Sequence, residues 1–258
     1  MYEDYYKKFL EDYRYLSTRY DKYTVFLDFL KLASFSMYNA FKKSDEIEKQ
    51  YLTVVSGYQK DDIKVFTKMF GNLIMMFETK GKIEDILGEI FTREGLGNSR
   101  LGQFFTPFHI SNFMANVVIG EKENLEQIIE EKGDISLSEP TCGAGGMILA
   151  VAKVLKEKGI NYQQKLLVHA VDISELCVYM TYVQLSLFGI PAIVYCGDSI
   201  TMNMNYYLET PMYFLNSWRF ENNYEENETE ENQKDNEQEK IIKFKEATVM
   251  GNCQISLW

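Results

Sequence analysis

The stretch that most constrains this chain runs from Ser138 to Met147, Ser-Glu-Pro-Thr-Cys-Gly-Ala-Gly-Gly-Met. It follows a short apolar run, Ile135 to Leu137, and precedes a helical pattern rich in alanine and valine. Gly143, Gly145 and Gly146 therefore fall at a strand-to-helix turn, the place where open α/β sheets bind cofactors. Beyond the turn the pattern alternates. A helix is expected over 146–156, a strand over 166–171, a helix over 174–188 and a strand over 192–195. Such alternation implies a parallel, doubly wound sheet. Asp172 and Asp198 close the second and third strands, which puts their carboxylates at the same sheet edge as the glycine turn.

Upstream, apolar residues from Tyr2 to about Phe91 recur at three- and four-residue spacings, as in Phe26, Leu27 and Leu30, and no proline precedes Pro107. This reads as an all-helical region rich in Tyr and Phe. Gly95, Gly97, Gly102 and Pro107 mark a loop, and helical spacing resumes over His109 to Val118. The expected organisation is a helical N-terminal domain (1–100), a Rossmann-like domain (101–220), a linker (221–240) and a tail (241–258). The linker holds eight Glu and one Asp against two Lys and has little to bury, so it is expected to be disordered. In the tail, 247–249 or 254–257 could add a strand.

Composition narrows the chemistry. The net charge of -11 excludes a broadly basic surface that holds nucleic acid by phosphate neutralisation alone. Cys142, Cys177, Cys196 and Cys253 are widely separated and only His109 and His169 accompany them, so neither a metal site nor a disulfide framework is expected. No apolar run is long enough for a membrane span and the N-terminus does not read as a secretory signal, which makes the cytoplasm the expected location.

The turn permits close backbone approach, and the helix start behind it favours an anionic group such as an amino-acid carboxylate. Asp172 could accept hydrogen bonds from two ribose hydroxyls, and Asp198 or its backbone could meet an adenine amino group. Together these describe adenosine joined to a small anion. The turn lacks the Gly-x-Gly-x-x-Gly fingerprint of dinucleotide sites and the Gly-Lys-Ser/Thr of a phosphate loop.

Leu-Gly-Gln-Phe-Phe-Thr-Pro at 101–107, Glu-Pro-Thr-Cys-Gly-Ala-Gly-Gly at 139–146 and Gly-Asp-Ser at 197–199 resemble the N6-adenine DNA methyltransferases related to the modification subunit of type I restriction systems. The resemblance runs from about Asp85 to Ser199. It implies a methyltransferase sheet, shortened at its C-terminal end, with S-adenosylmethionine as cofactor. It places Phe105, Thr106 and Pro107 beside the methionine part, Glu139, Thr141, Gly143 and Gly145 around it, Asp172 and Ile173 at the ribose and Asp198 at the adenine. It also implies DNA as the substrate, reached through or with a partner subunit, and a separate specificity subunit.

That family grips the target adenine with Asn-Pro-Pro-Tyr/Phe or Asp-Pro-Pro-Tyr, and this sequence has no Pro-Pro. The nearest candidate is Thr210-Pro211-Met212-Tyr213, whose Thr210, Pro211 and Tyr213 would serve as acceptor, backbone carbonyl and stacking ring. The same residues also read as a turn entering an aromatic helix. Two functions follow as expectations, a cofactor-binding methyltransferase that is weakly active or partner-dependent, and a catalytically silent scaffold that keeps the fold.

Overall fold

The computed structural model describes residues 1–97, 105–221 and 255–256. Five helices precede the glycine-marked loop: α1 (Tyr2–Ser17), α2 (Lys22–Phe41), α3 (Asp45–Ser56), α4 (Lys60–Lys80) and α5 (Ile86–Arg93). Their starts follow from capping chemistry. Asp21 accepts from the Thr24 amide, Ser44 from Ile47 and Asp85 from Gly88, each giving a helix's unpaired first-turn donor a partner. α4 stops at Gly81, whose φ of +69° suits a residue without Cβ. Phe9, Phe26, Phe29, Leu30 and Leu16 fill the interior between these helices.

Two further helices, α6 (Phe108–Ile119) and α7 (Lys122–Lys132), lead into the sheet. α6 buries only Ser111, Ala115 and Ile119, and this narrow row of mostly small side chains lets it lie close against the helix that follows the glycine turn. The sheet contains β1 (Ile135–Glu139), β2 (Leu166–Asp172), β3 (Ala192–Asp198), β4 (Asn203–Glu209) and β5 (Ile255–Ser256), in the order β4-β3-β2-β1-β5. β1, β2, β3 and β5 are parallel. α8 (Gly146–Glu157), the short α9 (Tyr162–Lys165) and α10 (Glu175–Leu187) connect the first three strands. The strand order reverses at β1, between β2 and β5, which makes the carboxyl end of β1 a topological switch point.

The alternation expected after the glycine turn is present, with one correction. β4 runs antiparallel to β3, paired from Asp198 with Asn203 to Ile193 with Glu209. Asn203 and Asn205 are poor strand formers, and only pairing with the buried β3 brings this segment into the sheet. The strand expected in the tail is present as Ile255–Ser256, beside Leu137 and Ser138. The acidic linker over 222–240, the 247–249 alternative and the Leu101 to Phe104 part of the first motif lie outside the described residues.

The helices on either side of residue 100 share one core. α10 is buried on all sides from Leu176 to Leu185, because the sheet covers one flank and α2 and α5 cover others. The Phe35 and Tyr179 rings meet edge to face at 5.6 Å, and Lys31 pairs with Glu175 at 3.0 Å. Among the described residues no helix is long and apolar enough to cross a membrane.

Candidate cofactor site

β1 ends on Glu139, and the backbone then turns sharply through residues 140–145 into α8. Gly143 and Gly145 have φ of +55° and +89°, which residues with a side chain rarely adopt. What fills the space beside the three glycines is the protein itself. A Cβ on Gly143 would sit 3.2 Å from the Phe105 ring, one on Gly145 3.2 Å from the Thr181 hydroxyl, and one on Gly146 3.2 Å from the Asp85 carboxylate. The glycines thus let three other elements press against the turn from below.

Hydrogen bonds hold the turn as closely as the packing does. The Gly143 amide donates to Asp172 Oδ2 at 2.9 Å, and the Gly143 carbonyl accepts from Thr181 Oγ1 at 2.9 Å. Gln184 Nε2 donates to the Ala144 carbonyl at 2.7 Å, and the Cys142 amide donates to the Val171 carbonyl at 2.8 Å. Thr181 and Gln184, three residues apart on α10, therefore draw two successive carbonyls inward. The first bond within α8 runs from the Leu149 amide to the Gly145 carbonyl. The amides ahead of it, at Gly146, Met147 and Ile148, open the helix with the partial positive charge that attracts an anion.

Asp172 joins the turn to β2. Its Oδ1 accepts from the Ser174 amide at 2.9 Å while Oδ2 holds Gly143, and the Cys177 thiol adds a further bond. Burial raises its pKa above the ordinary aspartate value, and these bonds oppose the rise. The Ile173 amide is a further donor, and the Cys177 thiol is the weakest of the set. Glu139 is buried and accepts from the Thr141 amide at 3.1 Å. Thr106, Pro107, Thr141 and Ile173 are exposed around the mouth of the turn, and Phe105 is half-buried, its ring 4.9 Å from that of Phe91.

The remaining expected residues lie farther away. Asp198 is at the same edge, two strands from β1, and its Oδ1 accepts from the Ile200 and Thr201 amides at 2.8 and 3.3 Å. These backbone bonds lower its pKa, and they make Asp198 the brace of the turn between β3 and β4. Thr210, Pro211 and Tyr213 require a correction. Because β4 is antiparallel, its end returns to the start of β3, about 20 Å along the strand from the carboxyl edge. The Thr210 hydroxyl is fully buried, donating to the Ile190 carbonyl at 2.8 Å and accepting from the Ala192 amide at 2.9 Å. Pro211 then opens α11 (Pro211–Glu221), and the Tyr213 amide donates to the Thr210 carbonyl at 2.9 Å. The structure does not bring these residues to the glycine turn; they form the start of α11 at the opposite edge of the sheet.

Cys142 is buried in the turn, and burial holds its thiol well above the ordinary range, while Cys177 is pushed up to about 12. Neither is a thiolate at neutral pH. Among the described residues no cluster of His, Cys, Asp and Glu is placed to hold a metal ion. Sequence reasoning missed Asp85, Thr181 and Gln184. Their signal was a threonine and a glutamine within an otherwise apolar helix, and an aspartate at a helix start.

Residues 82–250 match the sequence model of a family described as N-6 DNA methylase. No curated protein matches the chain. Among solved structures, a protein from Listeria monocytogenes assigned to the class I S-adenosylmethionine-dependent methyltransferases aligns at 16% identity and a TM-score of 0.36. The alignment covers 70% of this chain and 55% of that one.

Proposed function

The chain belongs to the N-6 DNA methylase family, and from that premise we propose that the turn between β1 and α8 binds S-adenosylmethionine for methylation of adenine N6 in DNA. The observation that carries the reading is the tie between the Gly143 amide and Asp172 at the open end of α8. It sets a helix N-terminus and a carboxylate side by side at the switch point of the sheet, which suits a ligand with a carboxylate at one end and a ribose diol further along.

The residues fit such a cofactor. The amides of Gly146 and Met147 would hold its carboxylate, and Asp172 would accept from the ribose in place of its weak bond from the Cys177 thiol. Thr106, Pro107 and Thr141 would line the methionine part, Ile173 would lie against the nucleoside and Asp198 would face the adenine. When bound, the cofactor supplies an electrophilic methyl group on sulfur. The chain's part is to hold that group at a fixed place and to keep the turn from relaxing, which lowers the barrier by positioning.

Acceptor chemistry is the other half. Adenine nitrogen must lose its overlap with the ring as it reacts, which calls for acceptors around its amino group and a ring to stack on the extruded base. The sequence has no Asn-Pro-Pro-Tyr, and Thr210 is committed elsewhere. We therefore assign this chain the cofactor half of the reaction and a partner subunit the DNA contacts and sequence specificity, in the cytoplasm. The same missing group favours a second reading, a silent scaffold that retains the fold. Calorimetry with S-adenosylmethionine tests the first half of the proposal, and absence of binding at millimolar cofactor would end it. Transfer of labelled methyl to adenine-containing DNA, with and without the products of neighbouring genes, separates a partner-dependent enzyme from the scaffold.

A further inference from the structure

Asp85 and Gln184 stand below the glycine turn, one at the start of α5 and the other within α10. Gln184 is fully buried and faces three partners, with both of its donors used. Its Nε2 donates to Asp85 Oδ1 and to the Ala144 carbonyl, each at 2.7 Å, and its Oε1 accepts from the Leu87 amide at 3.1 Å. Asp85 Oδ1 also accepts from the Gly88 amide at 2.9 Å. Two glycines make room for this carboxyl group. A Cβ on Gly88 would collide with it, and one on Gly146 would lie 3.2 Å from Oδ2.

We propose that Gln184, oriented by Asp85, is a positioning residue for the cofactor turn, linking the docking of the N-terminal helices to cofactor affinity. The inference rests on the cofactor reading above. The physical argument concerns one peptide unit. The Ala144 carbonyl precedes Gly145, whose φ of +89° leaves that peptide no support from a side chain of its own. With Nε2 of Gln184 on the carbonyl, the following amides at Gly145 and Gly146 keep their direction. The Gly145 amide, at the other end of the same peptide, donates to the Cys142 carbonyl at 2.7 Å, so loss of the Gln184 bond releases the carbonyl end alone and lets it tilt toward the anion site. Gln184 would adopt the wrong amide orientation unless something fixed which end is nitrogen. Asp85, an acceptor on one side, and the Leu87 amide, a donor on the other, fix it.

A set of substitutions separates positioning from mere stability. Asp85→Asn keeps an acceptor oxygen for Gln184 and Gly88, so cofactor affinity should stay within about threefold of wild type. Gln184→Glu sets a second carboxyl group against Asp85 and takes the donor away from Ala144. It should lower the melting temperature and weaken cofactor binding at least tenfold. The double variant Asp85→Asn with Gln184→Glu restores the contact within the pair, because the asparagine amide now donates to the glutamate, yet it leaves the Ala144 carbonyl facing an acceptor. Its melting temperature should recover toward wild type while its cofactor affinity stays at least tenfold weaker. If Gln184→Glu fails to fold, the double variant alone gives the comparison. Affinity that recovers with the melting temperature would overturn the proposal, as would an Asp85→Asn protein that binds as poorly as the double variant. Lack of binding by the wild-type protein is a distinct result, which refutes the cofactor reading on which the proposal stands.

Discussion

Asp85→Asn offers a test that needs no ligand. Burial pushes the Asp85 carboxyl up from 3.8 to about 6, against the opposing bonds from Gln184 and Gly88, and with a further push from nearby Glu89. The folded protein therefore holds this proton more tightly than the unfolded chain. Stability is unaffected by Asp85 below about pH 4, falls as pH rises through the interval up to about 6, and stays lower above it. A difference of about two pH units corresponds to about 3 kcal/mol at full ionisation. Asparagine keeps the acceptor oxygen but adds an amide group with no acceptor beside Gly88 and Gly146, which costs about 1 kcal/mol at every pH. The variant should thus be less stable than wild type by about 1 kcal/mol at pH 4 and more stable by about 2 kcal/mol at pH 7.5. Urea unfolding at both pH values measures the two differences. Equal differences at the two pH values would falsify the assignment of a buried, ionised carboxylate to this position.

Three other substitutions probe the site and its limits. Gly143→Ala combines a φ of +55° with a Cβ at 3.2 Å from the Phe105 ring, and it should cost roughly 1–3 kcal/mol in thermal unfolding and weaken S-adenosylmethionine binding at least tenfold in calorimetry. Asp172→Ala removes the acceptor of the Gly143 amide as well as the expected ribose contact, so cofactor binding should fall by a hundredfold or more. A variant that binds normally would remove Asp172 from the site. Thr210→Val leaves the Ala192 amide and the Ile190 carbonyl without their bonds, which should cost roughly 1–3 kcal/mol with cofactor affinity unchanged. A folded Thr210→Val protein that binds cofactor but loses methyl transfer would contradict the placement at the opposite edge.

The parts legible in the sequence were those set by local periodicity. The 135–137, 166–171 and 192–195 runs are strands, each extended at its carboxyl end to the acidic residue that closes it. Charged and polar residues at a strand end are held by backbone pairing, which hydrophobic pattern does not report. β4 escaped notice because its Asn-Met-Asn-Tyr-Tyr order has weak strand character, and its antiparallel sense decided where Thr210 went. A motif's spacing along the chain gave its distance from Asp198 in residues and nothing about which edge it would reach. The turn was visible through its glycines, but their reason was not. Phe105, Thr181 and Asp85 meet it from segments far away in the chain, and no local pattern records which side chain will occupy the space a missing Cβ leaves.

The contrast between β4 and the turn carries a consequence for the order in which the structure forms. Thr210 bonds to partners 18 and 20 residues back, so the β3–β4 hairpin closes a short loop at little entropic cost. Gln184 reaches Asp85 and Leu87 across 99 and 97 residues. Contacts of that span are slow to form, because the loop they close must be ordered before they stabilise anything. The far edge of the sheet should then be settled while the glycine turn is still searching, and hydrogen exchange during refolding should find the amides of β3 protected before those of 143–146 and the start of α5.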